Sequence, residues 1–403
     1  MLPLEEALQR ILAATPEPAA ERVPLEQACG RYLLEDARVC VDLPPFDNSS
    51  MDGYAVRAAD ISGATKDRPV PLRVIGRVAA GQAFEGEVQA GTAVRLFTGS
   101  ALPRGADAVV MQEDTKLDDA RPGEVLVLEP VRPWENVRFR GEDIKAGACA
   151  VRSGERLTPA RIGLLSASGV EAVRAGRRPV VALIATGSEL REPGALLGPG
   201  CIYESNRAAL APLARAAGAD VRIYPVVEDT LEATCDTFAT AFQECDAAVT
   251  CGGVSVGEMD FVKAAFEQIG GSLDFWKVAI KPGRPFVFGK RGAQVLFGLP
   301  GNPVSAWVTF LLLVRPALLR WQGAREVEMP RHAGVLAEPL ENRGNRRHFM
   351  RVSVNGSGEV RSAGTQASHI LSATAAANGL VDVPPETLLA AGTTVPVLRW
   401  DLV

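Results

Sequence analysis

Between Arg178 and Arg320 the chain alternates short apolar runs with amphipathic stretches closed by glycine. Val180–Ala185 is continuously apolar, the mark of a strand buried on both faces. Arg207–Ala217 has helical spacing and stops at Gly218. Val221–Val227 reads as a strand, Thr230–Gln243 as a helix, Ala247–Thr250 as a strand and Asp260–Ile269 as a helix ended by Gly270-Gly271. Phe275–Ile280 and Val295–Leu299 read as further strands, and Val304–Leu319 as a long apolar helix. Such alternation predicts a doubly wound parallel sheet, because parallel neighbours need a crossover and the crossover is a helix.

The 403 residues exceed what one core holds, and roughly two to four domains are expected. Leu4, Leu8, Ile11 and Leu12 form a helical stripe ended by Pro16 and Pro18. Short strands follow, at Arg73–Ala79, Ala93–Phe97, Ala108–Gln112 and Glu124–Glu129. Thr158 and Pro159 open a helix that Gly169 closes. From about Glu328 strands dominate again, as in a small β domain. With 43 basic and 48 acidic residues the net charge is -5, and no basic run suggests a nucleic-acid arm. The first residues lack a signal-peptide apolar core, and Trp307–Val314 is too short to span a bilayer. Seven cysteines without a CxxC argue against a disulfide framework or a cysteine zinc site. A reduced, cytoplasmic protein with no membrane or nucleic-acid partner is expected.

Ligands of open parallel sheets bind beyond the carboxyl ends of the strands. The segments there are Thr186-Gly187-Ser188-Glu189, Glu228-Asp229, Cys251–Asp260, Lys281–Pro285 and Pro300–Pro303, mostly polar and rich in glycine or proline. Polar βα turns are ordinary; five on one rim point to a site. Gly252, Gly253, Ser255 and Gly257 before a helix offer free N–H groups to an anion, although no P-loop GxxxxGK[ST] is present. Lys281 and Arg284 add positive charge. Glu189, Asp229 and Asp260 would repel an anion alone, so a bridging Mg²⁺ is implied; each acid could equally cap a helix. Two further polar stretches, Pro44–Ala55 and Arg138–Ile144, have no composition that ties them to this rim.

Taken in order, PPFDNSSMDGYAVR (44–57), RLFTGSALPRGADAVVMQED (95–114), RGEDI (140–144), LTPARIGLLSASGV (157–170), ATGSEL (185–190), YESNR (203–207), CGGVSVGEMDFVK (251–263), KVAIKPGRP (277–285) and FGLPGNPVSA (297–306) resemble the molybdopterin molybdenumtransferase family, which includes bacterial MoeA and the gephyrin E domain. RGNRRHFMR and QASHILSA extend the match more weakly.

The resemblance implies a homodimer of four-domain chains. An extended dimerisation domain (about 1–26, 45–56 and 151–178) is interleaved with a β-rich domain (about 27–44 and 57–150). An α/β domain at 179–327, similar to molybdopterin adenylyltransferase, precedes a β-barrel at 328–403. The implied reaction inserts molybdate into adenylylated molybdopterin and releases AMP, with Mg²⁺ held by Glu189, Asp229 and Asp260. Asp52 and Asp143 would reach the cleft from the other subunit and join those acids, with Lys277 and Lys281, as catalytic groups. Thr186, Gly252, Gly253, Ser255, Arg284, Pro300, Asn302, Arg346 and Ser368 would contact substrate. Lys277 and Lys281 are four residues apart, so strand alternation would put them on one face. Molybdopterin adenylyltransferase and downstream cofactor-modifying proteins are possible partners. The family's KPGKP is KPGRP here, and TGDEL is TGSEL. Two other classes stay open: a nucleotide-binding enzyme such as an adenylyltransferase, and a scaffold of the gephyrin kind. The set of acids and Lys277–Lys281 favour the first reading.

Overall fold

The computed structural model describes residues 1–79, 81–254 and 261–402. The alternating segment folds as a six-stranded sheet in the order Asp220–Ile223, Val180–Ala185, Ala247–Cys251, Gln294–Leu299, Val287–Arg291, Ser272–Trp276. The first four strands are parallel. Their faces divide with period two: Val181 and Leu183 join one buried cluster with Phe310 and Leu313, while Ala182 and Ile184 join another with Phe238, Phe242 and Phe266. Helices therefore cover both faces, as the strand–helix alternation requires.

Two expectations are corrected here. Val287–Arg291 is an antiparallel insertion, made by a hairpin that turns at Gly292 with φ +61°. Because Ser272–Trp276 reverses direction a second time, its end still reaches the rim of the parallel strands. The strand expected over Phe275–Ile280 breaks at Lys277, where φ is +113°. Ile280–Lys281 is a separate short strand that pairs in parallel with Arg347–His348.

The expected apolar helix is one 19-residue stretch, Pro303–Trp321, with a wide π turn over Phe310–Val314. Pro316 has no N–H to offer the turn before it, and the Arg315 N–H donates to the Phe310 carbonyl instead. Its length and hydropathy match a membrane span, yet 83% of the apolar window is buried inside the fold, so the hydropathy reports core packing. The helix Leu4–Ala14 lies against it, with Ala7 and Ile11 fully buried in the same cluster.

After residue 330, five strands close a barrel: Arg331–Leu336, Thr394–Arg399, Gly379–Val383, Arg347–Val354 and Glu359–Ser362, which returns to the first. Lys281 is thus stitched to the barrel wall although it follows an α/β strand.

The N-terminal third holds a second six-stranded sheet, Ala108–Met111, Gly53–Val56, Thr92–Leu96, Val70–Val78, Glu124–Val127 and Thr115–Leu117. Short ladders lead into and out of it. Ala20–Pro24 pairs with Ala172–Gly176, Ala37–Arg38 with Cys149–Val151 and Asn48–Ser49 with Val137–Arg138. This pairing redraws the expected interleaving. Residues 53–56 are an inner strand of the β-rich sheet, where a Cβ on Gly53 would stand 1.9 Å from the Val110 carbonyl oxygen. Leu33, in the segment expected to be β-rich, shares the core of Val151, Leu157 and Val173.

Candidate functional site

The loops beyond the parallel strands converge on an open cleft of about 710 Å³. Thr186, Glu189, Asp229, Gly252, Gly253, Pro300 and Asn302 all line it. Gly252 and Gly253 turn with φ +96° and +61°. A Cβ on Gly252 would stand 2.6 Å from the Thr186 carbonyl oxygen, and one on Gly253 would stand 3.0 Å from Thr186 Oγ1. Thr186 Oγ1 is itself buried without a hydrogen-bond partner. A bare backbone turn beside an unsatisfied hydroxyl suits a ligand oxygen, since a buried hydroxyl left unpaired costs about 1–3 kcal/mol. Ser255 and Asp260 lie outside the described residues.

Asp229 is free of the capping role open to it. Thr230 is the N-cap of Leu231–Glu244, accepting the Ala233 N–H at 3.2 Å. The Asp229 carboxylate instead accepts the Ser188 N–H at 3.1 Å, and Ser188 Oγ accepts the Asp229 N–H at 3.3 Å. Ser188, standing where the family motif has an acid, thus clasps two rim loops together. Among the described residues no group of three His, Cys, Asp or Glu side chains could hold a metal. Glu189 and Asp229 line the same cleft as a pair.

A second cavity, of about 580 Å³, opens on the barrel side and is lined by Lys281. Two segments serve both cavities. Lys281 lines the second and Pro285 the first; Gln366 lines the second and His369 the first. The barrel loop is pinned to the rim where the Val304 N–H donates to the Ser368 carbonyl at 3.2 Å. Arg346 donates from Nη1 to the Ile280 carbonyl at 3.0 Å, bracing the strand that carries Lys281.

Lys277 is not on a common strand face with Lys281. Its backbone is held by Leu2 and Phe286, through Leu2 N–H to Lys277 O at 3.1 Å and Lys277 N–H to Phe286 O at 2.9 Å. Its ammonium sits 3.9 Å from the centre of the Trp276 ring, a cation–π contact. Neither Lys277 nor the exposed Arg284 lines either cavity. Asp52 and Asp143 also lie away from the cleft of their own chain. The Asp52 carboxylate accepts the Thr98 N–H and hydroxyl, both at 2.8 Å, and these bonds hold it below the usual carboxylate range. The Asp143 N–H donates to the Leu43 carbonyl at 3.0 Å.

Three further residues shape the site without any motif that marks their role in the sequence. Arg351 is 1% exposed and fans its guanidinium over the carbonyls of Thr365, Ala367 and Ile370 at 2.8–3.1 Å, so it shapes the loop carrying Ser368 and His369. Glu204 and Arg207 form a buried pair at 3.0 Å beneath the cleft wall. Burial opposes the Arg207 charge, but Glu192 and Glu204 outweigh it and raise its affinity for the proton. Both strings, RHFMR and YESNR, are visible in the sequence; only burial reveals these side chains as supports.

Fold and cleft define a multidomain α/β protein with an open cleft at the carboxyl rim of its parallel strands, against a β-barrel. Family models match along nearly the whole chain: the MoeA N-terminal region (domain I and II) at residues 2–169, a probable molybdopterin binding domain at 182–320 and the MoeA C-terminal region (domain IV) at 333–400. The chain belongs to the molybdopterin molybdenumtransferase (MoeA) family. It is 38% identical to the molybdopterin molybdenumtransferase of Haemophilus influenzae, over 98% of each chain. It is 40% identical to molybdopterin molybdenumtransferase 2 of Mycobacterium tuberculosis, over 94% of each. The crystal structure of the molybdopterin biosynthesis moeA protein of Pyrococcus horikoshii OT3 superposes with a TM-score of 0.83 at 33% identity, covering 99% of this chain and 100% of that one.

Proposed function

We propose that the protein inserts molybdate into adenylylated molybdopterin and releases AMP. The observation that carries this reading is the pair of cavities divided by 281–285 and 366–369. The larger one offers backbone and hydroxyl donors at Gly252, Gly253 and Thr186 to the pyrophosphate of the pterin substrate. The other offers the Lys281 ammonium to the tetrahedral molybdate dianion, and Arg346 braces the strand that carries it. The relatives' names support the same reaction.

Glu189 and Asp229 are hard oxygen donors beside the phosphate cradle, a donor set suited to Mg²⁺. When bound there, the ion would neutralise charge building on the pyrophosphate as AMP leaves. The chain's own part is to fix the substrate: the glycine turn orients the pyrophosphate, and the Ser188–Asp229 clasp holds the acid loops in register. Asp52 and Asp143 are read as acids supplied to this cleft by a second copy of the chain, in a homodimer. Lys277 and Arg284 are kept as substrate contacts made only when ligand is bound. Seven free cysteines fit a reducing, cytoplasmic setting.

The test is AMP release from adenylylated molybdopterin with Mg²⁺, with and without molybdate. Molybdate-dependent release is expected. Release at the same rate without molybdate would make the protein a pyrophosphatase of that substrate instead.

A further inference from the structure

His348 is 3% exposed, lines the Lys281 cavity and has an Nε2 with no hydrogen-bond partner. It sits in register with Lys281, its direct partner across the Ile280–Lys281 and Arg347–His348 pairing. The acids of the cavity are already engaged. Glu341 pairs with Arg343 at 2.7 Å, and Glu338 accepts the Ser362 N–H at 2.8 Å. On the neighbouring strand Asp382 pairs with Arg347. Among the described residues no acid pairs with Lys281. The recess thus holds one uncompensated ammonium and one unsatisfied imidazole nitrogen.

We propose that His348 is a binding residue for the tetrahedral oxyanion, its Nε2–H donating to the anion that the Lys281 ammonium attracts. The inference rests on the reading of Lys281 as an oxyanion site and adds the residue that completes it. An oxyanion supplies both missing partners at once: countercharge for Lys281 and an acceptor for Nε2. A cation would meet the Lys281 ammonium and the Arg343 guanidinium, and would find only acids already bonded elsewhere.

The same arrangement couples binding to protons. In the free protein burial, with Lys281, Arg351 and Arg346 behind it, pushes the imidazole down to about 4. A bound dianion offsets those three cations and favours the imidazolium, so binding draws a proton onto His348 as pH falls.

The test is calorimetric titration of the full chain with sodium molybdate, between about pH 5.5 and 8, in buffers of different ionisation heat. Wild type should take up protons on binding, more at the acid end. His348→Gln keeps an N–H donor that does not titrate; it should bind within about threefold of wild type and lose the uptake. His348→Phe should bind about tenfold or more weakly, the usual effect of losing a hydrogen bond to a charged group. Unchanged affinity and unchanged proton count in both His348 variants, with binding lost in Lys281→Ala, would overturn the role of His348 and leave Lys281 in place. Unchanged affinity in Lys281→Ala would overturn the Lys281 site, and this inference with it.

Discussion

Asp229 separates structure from chemistry at a single side chain. Thr230 caps the following helix, so Asp229→Asn should leave helix and fold intact, with thermal midpoint near wild type. AMP release should fall at least about tenfold, because the neutral amide no longer offers the anionic oxygen read as a donor to Mg²⁺ at this cleft. Thr230→Ala should do the reverse, costing about 1 kcal/mol of stability with the reaction largely kept. Urea melts and AMP release on both variants check the pair. Gly252→Ala should damage the cradle, because its φ of +96° and its 2.6 Å approach to Thr186 leave no room for a methyl group; weaker substrate affinity is the expected reading. His348 also gives the protein an acid-sensitive spot. Its imidazole is held at about 4 against an ordinary 6.5. Between these values the unfolded chain binds a proton that the folded chain refuses, so stability present above about pH 6.5 is lost as pH falls towards about 4. His348→Gln should flatten that part of the profile, measured as urea midpoints at pH 7 and pH 5.

At the level of elements, the supports matter more than the rim. Ile11→Ala should cost about 2–5 kcal/mol, since this residue on Leu4–Ala14 is fully buried against the core. Arg351→Lys should cost about 2–4 kcal/mol, because one ammonium cannot satisfy the carbonyls that the guanidinium spans. It should also raise the molybdate concentration needed for turnover by loosening the Ser368 loop. The rim was legible in the sequence because each buried strand reads as an apolar run and each following loop as glycine, proline and charge. The hairpin at Gly292 was not: its second arm reads as the strand Val295–Leu299, but the apolar run of its first arm is cut short by Gly289, Lys290 and Arg291. The break at Lys277 was also hidden: a lysine at φ +113° is held by pairing with Leu2 and Phe286, both remote in sequence or beyond a turn. Two-residue strands such as Ala37–Arg38 carry no periodicity, so the short ladders of the N-terminal third leave no mark in the sequence pattern. Arg351 looks like any basic residue until its burial is seen.

At the scale of the whole molecule, each cleft is read as needing Asp52 from a second copy. If so, inactive Asp52→Ala and Asp229→Ala chains should complement when mixed and exchanged. Random pairing makes about half the dimers mixed, each with one intact site, so recovery should approach about a quarter of wild type. No recovery despite exchange shown by mass-tagged chains would return Asp52 to a turn-stabilising role with Thr98. The reaction itself is tested most directly by stoichiometry. Molybdenum retained in the pterin product and AMP released should be measured together in single turnover with limiting adenylylated molybdopterin. Equal amounts of the two, rising together with molybdate and both lost in Lys281→Ala, are the expected result. AMP released without molybdenum in the product would contradict the transfer of molybdate as this protein's function.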